Sequence, residues 1–141
     1  MQTGLRLRTG RIDLSDGDRA FSLRVDDLIL EPGKTVALTG ASGSGKTLLL
    51  ELLGLLRQPG ASSVYQWQGA DGPEVDLVAL WSQGPRNPDL ALRRGHIFGF
   101  VPQTGGLMPV LDVAENNALA QQGGGKVEAK RCPRLEARLG L

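Results

Sequence analysis

The sequence predicts an α/β fold in which an antiparallel β-layer comes first, a core strand then leads through a glycine-rich loop into a helix, and a helical subdomain begins after that. Three observations predict it. Apolar and polar residues alternate between Leu5 and Leu30. The stretch Gly40-Ala41-Ser42-Gly43-Ser44-Gly45-Lys46-Thr47 has the spacing G-x-x-x-x-G-K-[ST] of a phosphate-binding loop. Asp112 stands three residues before Glu115 at the start of a helical run.

The elements follow in order. Leu5-Arg6-Leu7-Arg8 and Phe21-Ser22-Leu23-Arg24-Val25 have the period of half-exposed antiparallel strands. Glu31-Pro32-Gly33-Lys34 reads as a tight turn, with proline presetting one position and glycine supplying positive φ at the next. Thr35-Val36-Ala37-Leu38-Thr39 is a short apolar run of the kind buried in a parallel sheet. Leu48 to Leu56 forms a helix with leucines around nearly its whole circumference, so it is expected to pack on several sides before Gln58-Pro59-Gly60 stops it.

A strand is predicted over Val64 to Gln68, and a loop rich in Gly, Pro and Asp over Gly69 to Pro88. A buried strand follows at Ile97-Phe98-Gly99-Phe100-Val101 and ends at Pro102-Gln103. From Asp112 a helix is expected over Val113 to Gln122, ended by Gly123-Gly124-Gly125, with a second over Val127 to Leu139, interrupted or restarted at Pro133. The whole reads as one domain divided into residues 1–34, 35–105 and 106–141: the β-layer, the phosphate-loop core and the start of the helical subdomain.

The loop residues have a direct chemical reading. Gly40, Gly43 and Gly45 lack a Cβ, so the backbone can turn successive N–H groups toward one anion-binding hollow. Lys46 supplies a point charge for the β- and γ-phosphates, and the Thr47 hydroxyl is placed to ligate the Mg2+ that accompanies ATP. The helix that the loop opens adds its free N–H groups and positive dipole end. Gly40, Ser42, Gly43, Ser44, Gly45, Lys46, Thr47 and Leu48 are therefore the expected contacts to the nucleotide, with Thr47 on the metal and Lys46 in a catalytic role.

Composition narrows the classes further. With 141 residues, 40% hydrophobic and 22% charged, the chain can bury a core. A net charge of +1 without a basic stripe argues against nucleic acid as a partner. The single cysteine, Cys132, cannot close an internal disulfide, and no basic-then-apolar signal precedes the first strand, so a cytoplasmic location is expected.

The run of motifs resembles the ATP-binding subunit of ABC transporters: a β-layer closed by Pro32-Gly33-Lys34, the phosphate loop, Arg93-Arg94, the segment Ile97 to Gln103, then Leu107-Met108-Pro109-Val110-Leu111-Asp112-Val113-Ala114-Glu115-Asn116. It is most similar to the branch serving lipoprotein release, macrolide-type efflux and related export. The resemblance implies a P-loop NTPase of ABC type that binds ATP with Mg2+ and drives transmembrane export. It implies that Gln103 is a catalytic, magnesium-ligating glutamine that senses the γ-phosphate. It also implies a membrane-embedded transporter subunit as partner, a second ATP-binding subunit with ATP at the shared interface, and a place at the inner face of the cell membrane. Leu107, Met108 and Pro109 read equally as partner contacts or as the packing of a helix start.

Some positions depart from that pattern. No aromatic stands where the family stacks adenine, leaving Arg19 or Phe21 as candidates. His96 comes too early to be the family's switch histidine and reads as structural or surface. Gly123-Gly124-Gly125 lacks the flanking Leu-Ser and Gln of the signature motif, and Cys132, Trp67 and Trp81 carry no evident chemistry. The resemblance covers only the N-terminal part of the family's subunit, without the strand bearing the magnesium-binding Asp and catalytic Glu, the signature or the switch histidine. Loss of a general base alone costs on the order of 10² to 10⁴ in rate, so hydrolysis by these 141 residues alone is not expected; weak Mg-ATP binding is, and without the strands that flank the phosphate-loop strand in the family the sheet is expected to expose unpaired edges. A non-catalytic ATP-binding or regulatory module is the alternative, and a P-loop small-molecule kinase a more distant one.

Overall fold

A computed structural model describes residues 3–16, 19–60, 63–103 and 105–123. The chain divides into two compact units, Met1–Ala91 and Leu92–Leu141. In the first unit, β1 (Gly4–Asp16), β2 (Arg19–Leu30), β3 (Val64–Gln68) and β4 (Val75–Asp76) form a sheet of order β2-β1-β3-β4, with every pairing antiparallel. The β-layer and the strand at Val64–Gln68 stand where the alternation predicts them.

Alternation decides which face is buried. Leu5 and Leu7 on β1 lie opposite Trp67 and Tyr65 on β3 and opposite Leu30 and Leu28 on β2, so one face collects these apolar side chains. Leu7 and Tyr65 are fully buried there. The Tyr65 hydroxyl keeps a partner by donating to the Leu53 carbonyl at 2.7 Å, and burial pushes its pKa up. The phase of the pattern changes at Thr9, whose φ is 50°. Beyond it Gly10 and Ile12 are the buried residues of β1, and on β2 the less exposed positions shift from Leu28 and Leu30 to Leu23 and Val25 across two exposed aspartates, Asp26 and Asp27.

Helix α1 (Lys46–Leu53) is shorter than the leucine run implies. Gly54 caps it, Leu55 takes a left-handed φ of 56°, and the amides of Leu55 and Leu56 return to the carbonyls of Leu52 and Glu51. That is the double-bonded helix stop usually built with glycine. Here the fully buried Leu55 side chain offsets the backbone cost, at about 1.5–3 kcal/mol for a leucine removed from water. Arg57 closes over the end, its guanidinium donating to Glu51 at 2.8 and 2.9 Å. Leu48, Leu52 and Leu55 are buried while Leu50 and Leu56 are exposed, so the helix packs on one side rather than on several.

Three expectations are corrected. Thr35–Thr39 is not a strand: it is irregular, with Val36 60% and Leu38 41% exposed. A parallel strand is stabilised by ladders on its flanks, and no strand among the described residues lies beside it.

The segment 69–88 holds β4 and helix α2 (Leu77–Ser82), which Asp76 caps by accepting from the amides of Val78 and Ala79 at 2.9 and 3.1 Å. Helix α3 (Pro88–Ile97) then takes the residues read as leading into a strand. Its start carries a plain signal, since the Asn87 side chain accepts from the Asp89 amide at 3.0 Å with proline at the first helical position. His96 lies in its last turn. The residues after Ile97 are irregular, and Val101 is 91% exposed.

In the second unit, α4 (Val113–Gly123) begins as predicted. Asp112 accepts from the Glu115 amide at 2.8 Å and Glu115 from the Asp112 amide at 2.9 Å, the reciprocal pair of a capping box. The helix expected over Val127 to Leu139 lies outside the described residues.

Candidate phosphate-binding site

The loop between residue 39 and α1 has the backbone its glycines call for. Gly43 and Gly45 have φ of 78° and 90°, a region closed to most side chains, and a Cβ at Gly43 would meet nothing within 4 Å. The Ser44 amide turns back to the Ala41 carbonyl at 3.3 Å, and the helix proper begins at Lys46. Gly45 is the N-cap and no side chain caps the first turn. The amides that open α1 lack intrahelical acceptors, so they remain available to an anion at the positive end of the helix.

Lys46 folds across this hollow. Its Nζ donates to the carbonyls of Gly40 and Ala41 at 2.8 and 2.7 Å, which anchors the ammonium at the mouth of the loop. Both acceptors are neutral carbonyls. A phosphate oxygen carries a negative charge and adds Coulomb attraction to the ammonium that a carbonyl lacks, so it would compete well for the same donors. Residues 41–44 and Thr47 are exposed, and the loop is open to a ligand. A triphosphate fits these residues: uncapped amides, a glycine with open space on its Cβ side, and an ammonium. The Thr47 hydroxyl in the first turn of α1 suits a magnesium ion that brings its own waters and phosphate oxygens. Among the described residues no cluster of three or more His, Cys, Asp or Glu could cage a metal by itself.

The structure thus brings Gly40 through Leu48 into one turn and helix start. Gln103 belongs to the other unit, where it is exposed in an irregular segment. Of the two residues considered for adenine, Phe21 comes close to the loop: a Cβ on Gly45 would lie 3.0 Å from its ring and 3.3 Å from Leu23 Cδ1. In the second unit Asn116, which no sequence motif singles out for a role, has the side chain that organises the whole approach to α4. Its amide nitrogen lies 3.2, 2.9 and 2.9 Å from the carbonyls of Met108, Leu111 and Asp112, and its oxygen accepts from the Met108 amide at 2.8 Å. An asparagine four residues after a helix cap was the available signal. The side chains of Leu107, Met108 and Val110 remain exposed around this fixed backbone.

The sequence model of the family described as ABC transporter matches residues 23–141. The chain belongs to the ABC transporter family. As an ABC protein it has the phosphate loop of that family's nucleotide-binding domain, and its fold class is the P-loop NTPase class.

Relatives agree with the match. The chain is 39% identical over 141 residues to the probable syringafactin export ATP-binding/permease protein SyfD of Pseudomonas syringae, covering 97% of this chain and 20% of that protein. It is 39% identical over 123 residues to the macrolide export ATP-binding/permease protein MacB of Rhodopseudomonas palustris, covering 85% and 17%. It is 38% identical over 129 residues to the lipoprotein-releasing system ATP-binding protein LolD of Idiomarina loihiensis, covering 89% and 51%. The chain therefore spans from about a sixth to a half of the length of these ABC relatives. No helix among the described residues is long and apolar enough to cross a membrane.

Proposed function

We propose that this chain is the phosphate-loop part of an ABC-type export ATPase, binding Mg-ATP through residues 40–48. In the whole protein, hydrolysis of that ATP would drive transport across a membrane. The observation that carries the proposal is the loop itself: uncapped amides at the start of α1, with the Lys46 ammonium anchored at its mouth. Gly40, Ser42, Gly43, Ser44, Gly45 and Leu48 supply the cradle, Lys46 neutralises the β- and γ-phosphates, and Thr47 holds the magnesium ion, which brings its own waters. Magnesium supplies charge neutralisation on the phosphates when bound.

The relatives' names, two export ATP-binding/permease proteins and a lipoprotein-releasing ATP-binding protein, support export, through a membrane-embedded subunit or permease region that this domain serves from the inner face of the membrane. A second ATP-binding subunit, with ATP at the shared interface, completes the assembly. The exposed side chains of Leu107, Met108 and Val110 are suited to a protein partner.

Calorimetric titration of Mg-ATP into the chain and its Lys46→Ala variant tests the site. The expected result is loss of measurable binding in the variant with helix content unchanged. Equal affinity in the two would remove the loop from the site.

A further inference from the structure

The β1–β2 hairpin is one ribbon in sequence and two in structure. Its inner half, Gly4–Arg8 with Asp27–Leu30, is also paired to β3 and presents Leu5, Leu7, Leu28 and Leu30 on its apolar face. Its outer arm, from Gly10 with Val25 to Asp16 with Arg19, has left β3 behind and presents the opposite phase, with Ile12 and Leu14 across from Leu23 and Phe21. A one-residue change of phase transfers every side chain to the other face, so the ribbon turns over between its two halves. Thr9 is the turning point. A β-branched residue at a φ of 50° is a clear outlier that surrounding contacts must hold in place.

Those contacts come from the segment just ahead of β3. The Ser63 hydroxyl accepts from the Arg11 amide at 3.3 Å and donates to the Thr9 carbonyl at 3.4 Å, bridging the turn from both sides. The Gly60 amide donates to the Arg11 carbonyl at 2.7 Å. Ser63 is 7% exposed, a buried polar residue whose hydrogen bonds go to this turn. On the far side of the turn, the apolar face of the arm meets Gly45, where Phe21 Cζ and Leu23 Cδ1 lie 3.0 and 3.3 Å from the place of a Cβ. Gly45 is the N-cap of the helix whose amides face the phosphate hollow.

We infer that Ser63 is a positioning residue for the phosphate loop: it latches the turn at Thr9 and so seats Phe21 and Leu23 against Gly45. The inference rests on the reading of residues 40–48 as the nucleotide site. The arm braces the loop backbone, so its ligand-side effect falls on the triphosphate moiety, whatever base is attached. An arm that instead worked through the base would discriminate between ATP and inorganic triphosphate.

Calorimetry with Mg-ATP and with magnesium inorganic triphosphate, on the full chain, tests this. Ser63→Ala is expected to weaken both ligands by about fivefold, the equivalent of one hydrogen bond's net worth. Ser63→Thr, which keeps the hydroxyl, is expected to restore both. Phe21→Ala is expected to weaken both ligands similarly, and the double variant to be no weaker than the worse single one, because the two residues act in one chain of contacts. Should Ser63→Ala fail to fold, Phe21→Ala at the surface carries the test alone. Unchanged affinity for both ligands in these variants, while Lys46→Ala abolishes binding, would overturn the latch and leave the site standing. Loss confined to ATP would also overturn it, by putting the arm on the base. Retained binding in Lys46→Ala would instead overturn the site reading beneath it.

Discussion

In the β1–β2 hairpin each strand pairs with its immediate neighbour in sequence, whereas Thr35–Thr39, just as rich in β-forming residues, has no strand paired to it among the described residues and is irregular. The contrast separates composition from pairing. An antiparallel hairpin closes a short loop at small entropic cost and gains a ladder at once. A parallel strand gains nothing until distant segments reach it, so its apolar side chains remain in water until then. Residues 98–101 in the second unit repeat the case, with β-type composition and no strand paired to them among the described residues.

The largest expected effect that would break or sharpen this contrast is on stability. Leu52 is fully buried in α1, and Leu52→Ala should cost about 2–5 kcal/mol in urea unfolding of the chain. Leu38→Ala, on the irregular segment, should cost less than about 0.5 kcal/mol. If Leu38→Ala proved as costly as Leu52→Ala, residues 35–39 would be packed in solution and the contrast would fall. A middle-sized effect is expected at Tyr65, which joins the hairpin sheet to the end of α1. Tyr65→Phe removes the donor to the Leu53 carbonyl and should cost about 1 kcal/mol, read from the same unfolding curves.

The same physics explains what could be read from the sequence. The hairpin, the phosphate loop and the capping box at Asp112 rest on neighbours in sequence, and each stands where its residues predict; Val64–Gln68 is a strand as predicted too, although its longer ladder is with the distant β1. The start of α3 is equally local, at Asn87-Pro88-Asp89, but it falls at the end of a stretch whose Gly, Pro and Asp content reads as loop, and the apolar run from Ile97 to Val101 reads as strand. Apolar content without a period of its own does not distinguish helix end, loop and strand. The turnover at Thr9 was hidden for another reason. The apolar positions do shift phase, from Leu5 and Leu7 to Ile12 and Leu14, but alternation alone does not tell a bulge in one strand from a turnover of both; the unchanged register across the gap and the φ at Thr9 do.

For the capped helix the expected change is comparable and local. Asp112→Ala should remove about 1 kcal/mol from α4, seen as lost amide protection in its first turn with α1 unaffected. No change there would mean that Glu115 and Asn116 hold the helix start without the cap.

The smallest expected effect lies on the hairpin arm and is a pH dependence. The Asp13 carboxyl is held below its usual range of about 3.8, first by the hydrogen bond from Ser22 across the ladder and then by Arg11. A carboxyl whose folded pKa is lowered contributes stability that is fully present above its unfolded value and is lost as pH falls through the lowered one. The stability difference between the native chain and Asp13→Asn should therefore be constant at neutral pH and vanish on acidification below the ordinary aspartate range. Because the group is fully exposed, solvent screens most of the interaction and the difference should be small. A carboxyl titration followed by NMR gives the finer test. Ser22→Ala should return Asp13 toward its usual value more than Arg11→Ala does. The reverse order would mean that the arm is held by charge along one strand rather than by bonding across two, and the ladder would then contribute less to its seat over Gly45 than the contacts of Phe21 and Leu23 do.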